Sequence, residues 1–370
     1  MNQHLLIVGD PGSVPRLLRA QRGLALTMTS LCLTADIPNL PGLSFVDRIL
    51  ATGPREESSD AWMATAVSAH RTWKVTRVAV FDPHAHPRAA AVADVLGVEL
   101  YPRLGFTAIN DHWAVRQRLL ALGHHDLDTA RAPDRASLEG YVAGHGLPCL
   151  LRSRHADRPA VLLHDVEDVD RAIRSETPAL PGNGMLVEPA LTGRLFRVAV
   201  LVEGRRSRAL AVLRYQIAEG RHAQRSGVVA GPVDVIGDSD PEDLRLIRAE
   251  ASELALKLGV RDGLLLVDLG VDSGRVQVGG VRLGPPGEQT RRAVLQATGV
   301  DLALCCARQA CGQPALDLAL DSARDFVAET GGAPLEVPPA GPLPWQRTDQ
   351  AELPGADSTP GRGTARLGGA

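Results

Sequence analysis

Two oppositely charged residues, Asp268 and Arg282, have the types and spacing to do chemistry together. They belong to the stretch 259–287, where two β-branched and leucine-rich runs are split by Asp272-Ser273-Gly274. This pattern predicts an antiparallel hairpin, with Asp268 near the middle of the first strand and Arg282 just past the second. An acid and a guanidinium held close could bind a metal ion and a phosphate or carboxylate. The alternative is an exposed hairpin that carries one charge on each rim.

The composition predicts two or three domains with aliphatic cores. The chain has 370 residues, of which 44% are hydrophobic but only 3% are aromatic, so the cores must be mostly Leu, Val and Ala. A formal net charge of -3 gives no polyelectrolyte pattern, and we expect neither nucleic acid nor a membrane as the main partner. Lysine occurs only at Lys74 and Lys257 among the 40 basic residues, a strong bias toward arginine.

The cysteines and the start of the chain bear on the cellular compartment. The five cysteines form no CxxC pair and no His-paired spacing that is typical of zinc, so we expect reduced thiols in the core. No basic segment with a long apolar core follows Met1. The apolar runs are too short to span a bilayer. We therefore expect a cytoplasmic protein.

The first 105 residues alternate between strand and helix patterns. Strands are predicted at 4–8, 24–33, 75–81 and 98–100, and helices at 14–23, 61–71 and 88–96. The turn after the first strand, Gly9-Asp10-Pro11-Gly12, lacks the GxGxxG spacing of a dinucleotide site. The alternation predicts a doubly wound N-terminal α/β domain over residues 1–105.

The rest of the chain is typical of an α+β arrangement. Helices predicted at 110–123 and 135–144, followed by strands from residue 147, mark a central region over 106–184. Further strands, a periodic helix at 241–258 and the hairpin mark another region over 185–337. The tail 338–370 is rich in Pro and Gly and is predicted to be disordered.

The order of these pieces resembles the ATP-grasp carboxylate-amine ligases over about residues 1–337. The segments that carry the resemblance are, in chain order, DHWAVRQRLLALG, LPCLLRS, LVEPALTGRLFRVAVLVEG, LALKLGVRDGLLLVDL, SGRVQVGGVRLG and ATGVDL. The resemblance implies an ATP-grasp fold, with ATP held between two α+β subdomains behind an N-terminal doubly wound domain that helps to bind substrate. It implies a ligase that forms an acyl phosphate from a carboxylate and ATP, with magnesium bridging the phosphates. The partners would be small-molecule carboxylate and amine substrates, and a homodimer or a partner ligase is left open.

The resemblance also implies roles for individual residues. His112 and Arg152 replace two lysines of the family, and the lysine at the position of Arg152 reaches the phosphates. Residues 185–188 look like the hinge whose backbone pairs with adenine. Asp268 matches one of the two acids that chelate magnesium, and Arg282 matches the catalytic arginine that faces the acyl phosphate. The implied cofactor-binding residues are His112, Arg152, Val187, Glu188 and Arg214.

Other family positions have changed. Leu195 replaces the acid that holds the ribose, Val278 replaces the second magnesium acid, and the lid segment 153–160 contains no glycine. A bias toward arginine explains the loss of lysine but not the loss of acids. Two functions therefore remain open: an ATP-dependent carboxylate-amine ligase, or a catalytically degenerate relative that binds a ligand or a partner protein without ATP turnover. In the second, ATP and magnesium binding are weak or lost, and the concurrent changes favour it.

Overall fold

A computed structural model of the chain describes residues 3–21, 24–53, 59–124, 127–154, 160–176, 184–217, 230–236 and 242–330. The tail predicted to be disordered lies outside these ranges. So do residues 155–159 of the segment predicted to form a glycine-free lid.

The N-terminal part is a parallel sheet with helices between its strands. Its elements are β1 (Gln3–Val8), α1 (Val14–Ala20), β2 (Leu26–Leu33), β3 (Arg48–Thr52), α2 (Ser59–Trp73), β4 (Arg77–Val80), α3 (His86–Leu96) and β5 (Glu99–Tyr101). The strand order is β3-β2-β1-β4-β5, and every pairing is parallel. This confirms the doubly wound architecture that was predicted. The prediction missed β3, an edge strand whose alternating residues are largely exposed and therefore carry a weak hydrophobic signal.

A small antiparallel sheet follows. The elements are β6 (Arg103–Leu104), α4 (His112–Ala121), β7 (Ala130–Arg131), α5 (Arg135–His145), β8 (Cys149–Ser153), β9 (Val161–Leu163), α6 (Val166–Glu176) and β10 (Met185–Pro189). Four of the strands pair in the order β7-β10-β8-β9, all antiparallel. A core of its own, which includes Leu138, Leu151, Leu163 and Ile173, lies between this sheet and helices α5 and α6.

A larger antiparallel sheet completes the fold. Its elements are β11 (Arg194–Glu203), β12 (Arg206–Ile217), β13 (Ala230–Ile236), α7 (Glu242–Lys257), β14 (Val260–Asp272), β15 (Arg275–Leu283), α8 (Glu288–Thr298), α9 (Leu302–Ala310) and α10 (Leu316–Thr330). The strands pair in the order β13-β12-β11-β14-β15, and β6 adds to β14. The predicted hairpin is present and antiparallel. Arg282, expected just past the second strand, lies inside β15 because its backbone still pairs with Leu266.

Side chains alternate between the two faces of this larger sheet. Val198, Leu265 and Val267 face helix α7. Their neighbours Ala199 and Leu266 face the other way, into a core shared with Phe81, Tyr101 and Leu5 of the N-terminal part and with helix α9. The parallel sheet and the larger antiparallel sheet therefore share one hydrophobic core. No helix in the described ranges combines the length and apolar character needed to cross a membrane.

Candidate functional site

A buried group of three charges, Arg116–Glu188–Arg152, joins the two antiparallel sheets. Glu188, at the end of β10, is 1% exposed. It accepts a hydrogen bond from Nε of Arg116 at 2.8 Å and pairs with a terminal nitrogen of Arg152 at 2.5 Å. Arg116, from α4, also donates to the backbone carbonyls of Val278, at 2.6 Å, and Gly279. The carboxylate of Glu188 is therefore held inside the protein by two guanidinium groups.

The electrostatics of this group decide its protonation. Burial alone would raise the pKa of Glu188, but the charges of Arg152 and Arg116 outweigh it and hold that pKa below its ordinary value. Burial, together with the charge of Arg152, lowers the pKa of His112 to about 4. Near neutral pH the positive charge at this site therefore belongs to the arginines, and His112 is neutral.

Asp268 is held in a similar way on the hairpin. Both of its carboxylate oxygens accept from Arg197 on the adjacent strand β11, at 2.6 and 2.8 Å. Burial opposes ionisation, but Arg197, then Arg282 and Arg152, lower the pKa of Asp268 overall. Such a two-point pairing is among the stronger geometries open to a carboxylate. Asp268 is ionised and already has a cation beside it.

The hairpin register brings the predicted residues together. Asp268 lies opposite Gly280, and a Cβ at Gly280 would lie 3.4 Å from a terminal nitrogen of Arg152. Arg282, half-buried in β15, follows Gly280 by two residues and so lies on the same face. The structure thus collects Asp268, Arg152 and Arg282 around one glycine.

Val278 does not stand where the resemblance placed it. The pairing of β14 with β15 shifts by one residue after Asp268, so that Gly279 is an extra residue and Val278 lies opposite Leu269. Val278 is 2% exposed, and its side chain packs in the core on the α7 face. The expectation that Val278 lies beside Asp268 is therefore wrong, and the residue opposite Asp268 is Gly280. The two adjacent glycines inside a strand pattern were the available signal for such a bulge.

Two further residues, Val187 and Arg214, were predicted to bind the cofactor. The side chain of Val187 is fully buried in the core of the smaller sheet, and its backbone lies between Ala130 of β7 and Leu151 of β8. Arg214 is exposed on β12, opposite Phe196, whose side chain lies on the α7 face. The structure does not bring Arg214 to Asp268.

Sequence reasoning missed three arginines that pair with the acids: Arg116, Arg197 and Arg154. Arg154 donates to one oxygen of Asp111 at 2.8 and 2.6 Å. The other oxygen of Asp111 caps α4 by accepting from the backbone of Trp113 and Ala114. These pairings depend on strand register and sheet packing, which leave no local motif in the sequence.

The donor set does not fit a magnesium site of the usual kind. Within the ranges that the structure describes, no group of three or more His, Cys, Asp or Glu side chains is placed to hold a metal ion. Both oxygens of Asp268 are engaged by Arg197, and the residue that faces Asp268 across the hairpin is a glycine. Magnesium prefers several oxygen ligands in octahedral geometry, including one or two carboxylates. Asp268 alone, paired with a cation, is a poor substitute.

Comparisons with solved structures identify the class of fold. An L-amino acid ligase from Bacillus licheniformis is similar, with a TM-score of 0.66 and 19% identity over 84% of this chain and 74% of that chain. N5-carboxyaminoimidazole synthetase from Staphylococcus aureus, in complex with ADP, gives a TM-score of 0.60 and 12% identity over 85% and 78%. The biotin carboxylase domain of Hydrogenobacter thermophilus 2-oxoglutarate carboxylase, with ADP, magnesium and bicarbonate, gives 0.61 and 14% over 84% and 70%.

These neighbours are ATP-grasp enzymes, and the chain has the ATP-grasp fold that the sequence predicted. No protein-family model and no curated protein matches the chain. At such low identities the likeness establishes the architecture, and the activity must be argued from the site.

Proposed function

We propose that this chain uses the ATP-grasp fold as a ligand-binding scaffold and does not turn over Mg-ATP. The observation that carries the proposal is the pairing of Asp268 with Arg197, in which both carboxylate oxygens are engaged. A guanidinium is a permanent charge that matches a carboxylate at two points. It therefore takes one lone pair on each oxygen and places a permanent positive charge beside the carboxylate, which disfavours a second cation there.

The neighbouring charges support the same conclusion. Glu188 is balanced by Arg116 and Arg152, and Asp111 by Arg154. Each acid in this region therefore has a cation supplied by the chain itself. The side chain of Leu195, half-buried on the strand that carries Arg197, can accept no hydrogen bond from a ribose.

The second candidate is an ATP-dependent carboxylate-amine ligase. One observation favours it: Arg152, Arg282 and Asp268 lie around Gly280, where an acyl phosphate could be met by two guanidinium groups. In that case Arg282 would contact the acyl phosphate and Arg152 the nucleotide phosphates. A metal ion would have to displace Arg197 from Asp268 or bind the remaining lone pairs of the carboxylate beside it.

Calorimetric titration of the full chain with Mg-ATP and with Mn-ATP tests the proposal. Each missing polar contact costs about 1–3 kcal/mol, and about 1.4 kcal/mol changes affinity tenfold. Loss of the ribose acid and of one metal acid should therefore leave binding at millimolar strength or weaker. Low-micromolar binding, together with phosphate release over a panel of amino acids, would establish the ligase instead.

A double substitution tests whether Arg197 prevents metal binding at Asp268. The double change Arg197→Ala with Gly280→Asp frees Asp268 and places a second acid directly across the hairpin. Electron paramagnetic resonance should then detect bound Mn²⁺ in this variant and not in the unmodified chain. Arg292→Ala is the matched control, because Arg292 is a 71% exposed side chain on α8, where it pairs with Glu288, and belongs to neither strand of the hairpin. Equal Mn²⁺ binding by the unmodified chain would show that Arg197 does not block the site.

A further inference from the structure

A surface cleft lies where the turn between β11 and β12 meets helices α7 and α10. Its volume is about 540 Å³, within the range of roughly 300–1,000 Å³ that is typical of small-molecule sites. Three arginines and three leucines form its wall: Arg205, Arg206, Arg208, Leu256, Leu316 and Leu320. We call it the arginine–leucine cleft. None of these residues belongs to the hairpin site.

The local sequence explains why the arginines gather there. Glu203 pairs with Arg206 across a two-residue turn, Gly204-Arg205. Gly204 has φ +63°, in the left-handed region that favours glycine, so Arg205 stands at the tip of the turn. Arg206 and Arg208 are two residues apart on β12, and their side chains lie on the same face of the strand. Four consecutive residues therefore bring three guanidinium groups to one cleft.

Two of the three arginines have donors that the protein does not use. Arg206 donates to both carboxylate oxygens of Asp317 on α10, at 3.3 and 2.5 Å. Glu203, whose charge also acts on Arg206, already accepts from a backbone N–H at 2.7 Å. Arg205 and Arg208 are exposed, and within the described part of the chain their side chains form no ion pair or hydrogen bond. Both guanidinium groups are therefore open to an anionic ligand.

The leucines give the cleft an apolar wall. Leu316 and Leu320 are one helical turn apart on α10 and so lie on the same face. Leu316 is 2% exposed and belongs to the shared core, whereas Leu320 packs only partly against it. Leu256, near the end of α7, is 38% exposed. The cleft therefore combines a cationic edge with an apolar surface that water reaches.

We propose that the arginine–leucine cleft binds a phosphate monoester with an aliphatic ester group. A guanidinium matches phosphate oxygens at two points. A phosphate monoester carries about two negative charges near neutral pH, which match the charges of Arg205 and Arg208. Its aliphatic group lies against Leu256 and Leu320, and this contact removes apolar surface from water. A carboxylate brings one charge and two oxygens, so it satisfies fewer of the donors.

The arginine–leucine cleft is distant from the hairpin site. In the larger sheet Glu203 pairs with Asp262 of β14, and Arg197 pairs with Asp268. Asp262 and Asp268 are six residues apart on that strand, and a strand rises about 3.3 Å per residue, so the turn lies about 20 Å from Asp268. Binding in the cleft therefore requires neither ATP nor magnesium and does not rest on the function proposed for the hairpin.

Saturation-transfer NMR on the full chain tests the cleft with n-hexyl phosphate. Three further probes each change one property: n-hexyltrimethylammonium reverses the charge, n-heptanoate replaces the phosphate with a carboxylate, and inorganic phosphate lacks the aliphatic group. We expect n-hexyl phosphate to bind and n-hexyltrimethylammonium not to bind. Both n-heptanoate and inorganic phosphate should displace n-hexyl phosphate only at about tenfold higher concentration or more.

Variants locate the bound probe. Arg205→Gln with Arg208→Gln removes both unpaired charges and should weaken binding of n-hexyl phosphate about tenfold or more. Arg135→Gln with Arg292→Gln is the matched control, because it removes the same charge from side chains that are 59% and 71% exposed on α5 and α8. This control should leave binding unchanged. Leu256→Gln should weaken binding of n-hexyl phosphate but not that of inorganic phosphate.

Thermal melts show whether each variant folds, and Leu256→Gln decides the question should the Arg205→Gln, Arg208→Gln variant not fold. Unchanged binding in the cleft variants, an equal loss in the matched control, binding of the cation, or equal binding of n-heptanoate would each overturn the proposal. Binding to vesicles of phosphatidic acid and phosphatidylcholine without binding of n-hexyl phosphate would indicate a membrane surface and would also overturn it. None of these outcomes depends on whether the chain binds Mg-ATP.

Discussion

At the scale of single residues, the site is defined by arginines that pair with acids. Asp268, Glu188 and Asp111 each have a guanidinium partner at 2.8 Å or less. A buried ion pair of this kind adds little net stability by itself, but removing one partner leaves a costly charge. The pairs therefore hold these side chains in position. Their effect on the free energy of unfolding can be measured when one member is removed.

Loss of Arg197 should destabilise the chain through Asp268. Breaking a fully buried pair costs about 3–5 kcal/mol, but the side chain of Asp268 is 34% exposed and partly solvated. We therefore expect Arg197→Ala to lower the free energy of unfolding by about 1–3 kcal/mol. Urea denaturation measures the change.

The double variant identifies the cause. Removing both charges, with Arg197→Ala and Asp268→Ala, should cost less than Arg197→Ala alone, because no unpaired acid remains. If the two costs simply add, the effect of Arg197 comes from packing of its side chain and not from its charge.

The sequence predicted some charged residues of this site better than others. Asp268, Arg152 and Arg282 were identified from their places in recognisable segments, and the structure brings them together. Arg116 and Arg197 carry no such signal, because in a chain that scarcely uses lysine an arginine at any position is unremarkable. Their pairing follows from the register of β11 with β14 and from the packing of α4 on β15, which only the folded chain specifies.

At the scale of elements, the bulge in the β14–β15 hairpin decides which side chains meet. Gly279 is the extra residue, and a Cβ there would clash with Cδ1 of Leu191. Leu191 thus packs directly against the bulged backbone. The strand positions were predictable from their hydrophobic runs, but the bulge, which turns Val278 away from Asp268, was not predicted.

The destabilisation caused by a substitution at Gly279 should be partly reversed by a second substitution at Leu191. Gly279→Ala should destabilise the chain by about 1–3 kcal/mol through overpacking, and adding Leu191→Ala should recover part of the loss, because the clash is with the end of a side chain. Gly193→Ala is the contrast. Gly193 has φ +72°, and its Cβ would meet the backbone oxygen of Val271, so Leu191→Ala should not rescue it. Thermal and urea unfolding of the four variants test this difference.

Helix α4 begins with a histidine that should make stability depend on pH. The pKa of His112 falls from 6.5 to about 4 in the folded chain, chiefly through burial and then through Arg152. The unfolded chain therefore binds the proton more readily, and stability should fall as the pH drops from about 6.5 toward 4. In His112→Gln this part of the decline should be absent, as measured by urea unfolding at stepped pH.

His145→Gln provides a control of opposite sign. The pKa of His145 is raised, first by its hydrogen bond with Asp128, so its contribution is present at low pH and is lost as the pH rises through that pKa. The two variants should therefore change the pH profile in opposite directions. Identical profiles would show that His112 is not buried in solution.

At the scale of the whole molecule, the three sheets differ in whether they share a hydrophobic core. The smaller sheet has its own core, whereas the parallel sheet and the larger sheet share one through α9. Such a shared core was not predictable from the change in texture near residue 105, because hydrophobic periodicity identifies a buried face but not the element that covers it. The fold class was predictable because it depends only on the order of strands and helices.

Chemical labelling of the buried thiols should show whether these cores unfold separately. Burial raises the pKa of Cys306 to about 12 and that of Cys149 to about 11, so both should resist a thiol reagent in the folded chain. Cys149 belongs to the core of the smaller sheet and Cys306 to the shared core. With rising urea, mass spectrometry should detect labelling of Cys149 before that of Cys306. Simultaneous labelling would indicate that all the cores unfold as one cooperative unit.

The packing of helix α9 limits how residues 1–105 could be exchanged with the equivalent part of another protein. Residues 302–310 pack against α1, where Val14 and Leu18 are almost fully buried. A gene fragment that encodes only residues 1–105 would therefore yield a polypeptide with an apolar flank that its missing helix normally covers. Modular exchange at that junction would succeed only if the donor brought its own counterpart of α9 from nearly two hundred residues further along the chain. The N-terminal part is continuous in the gene but depends on residues 302–310 to cover its apolar flank.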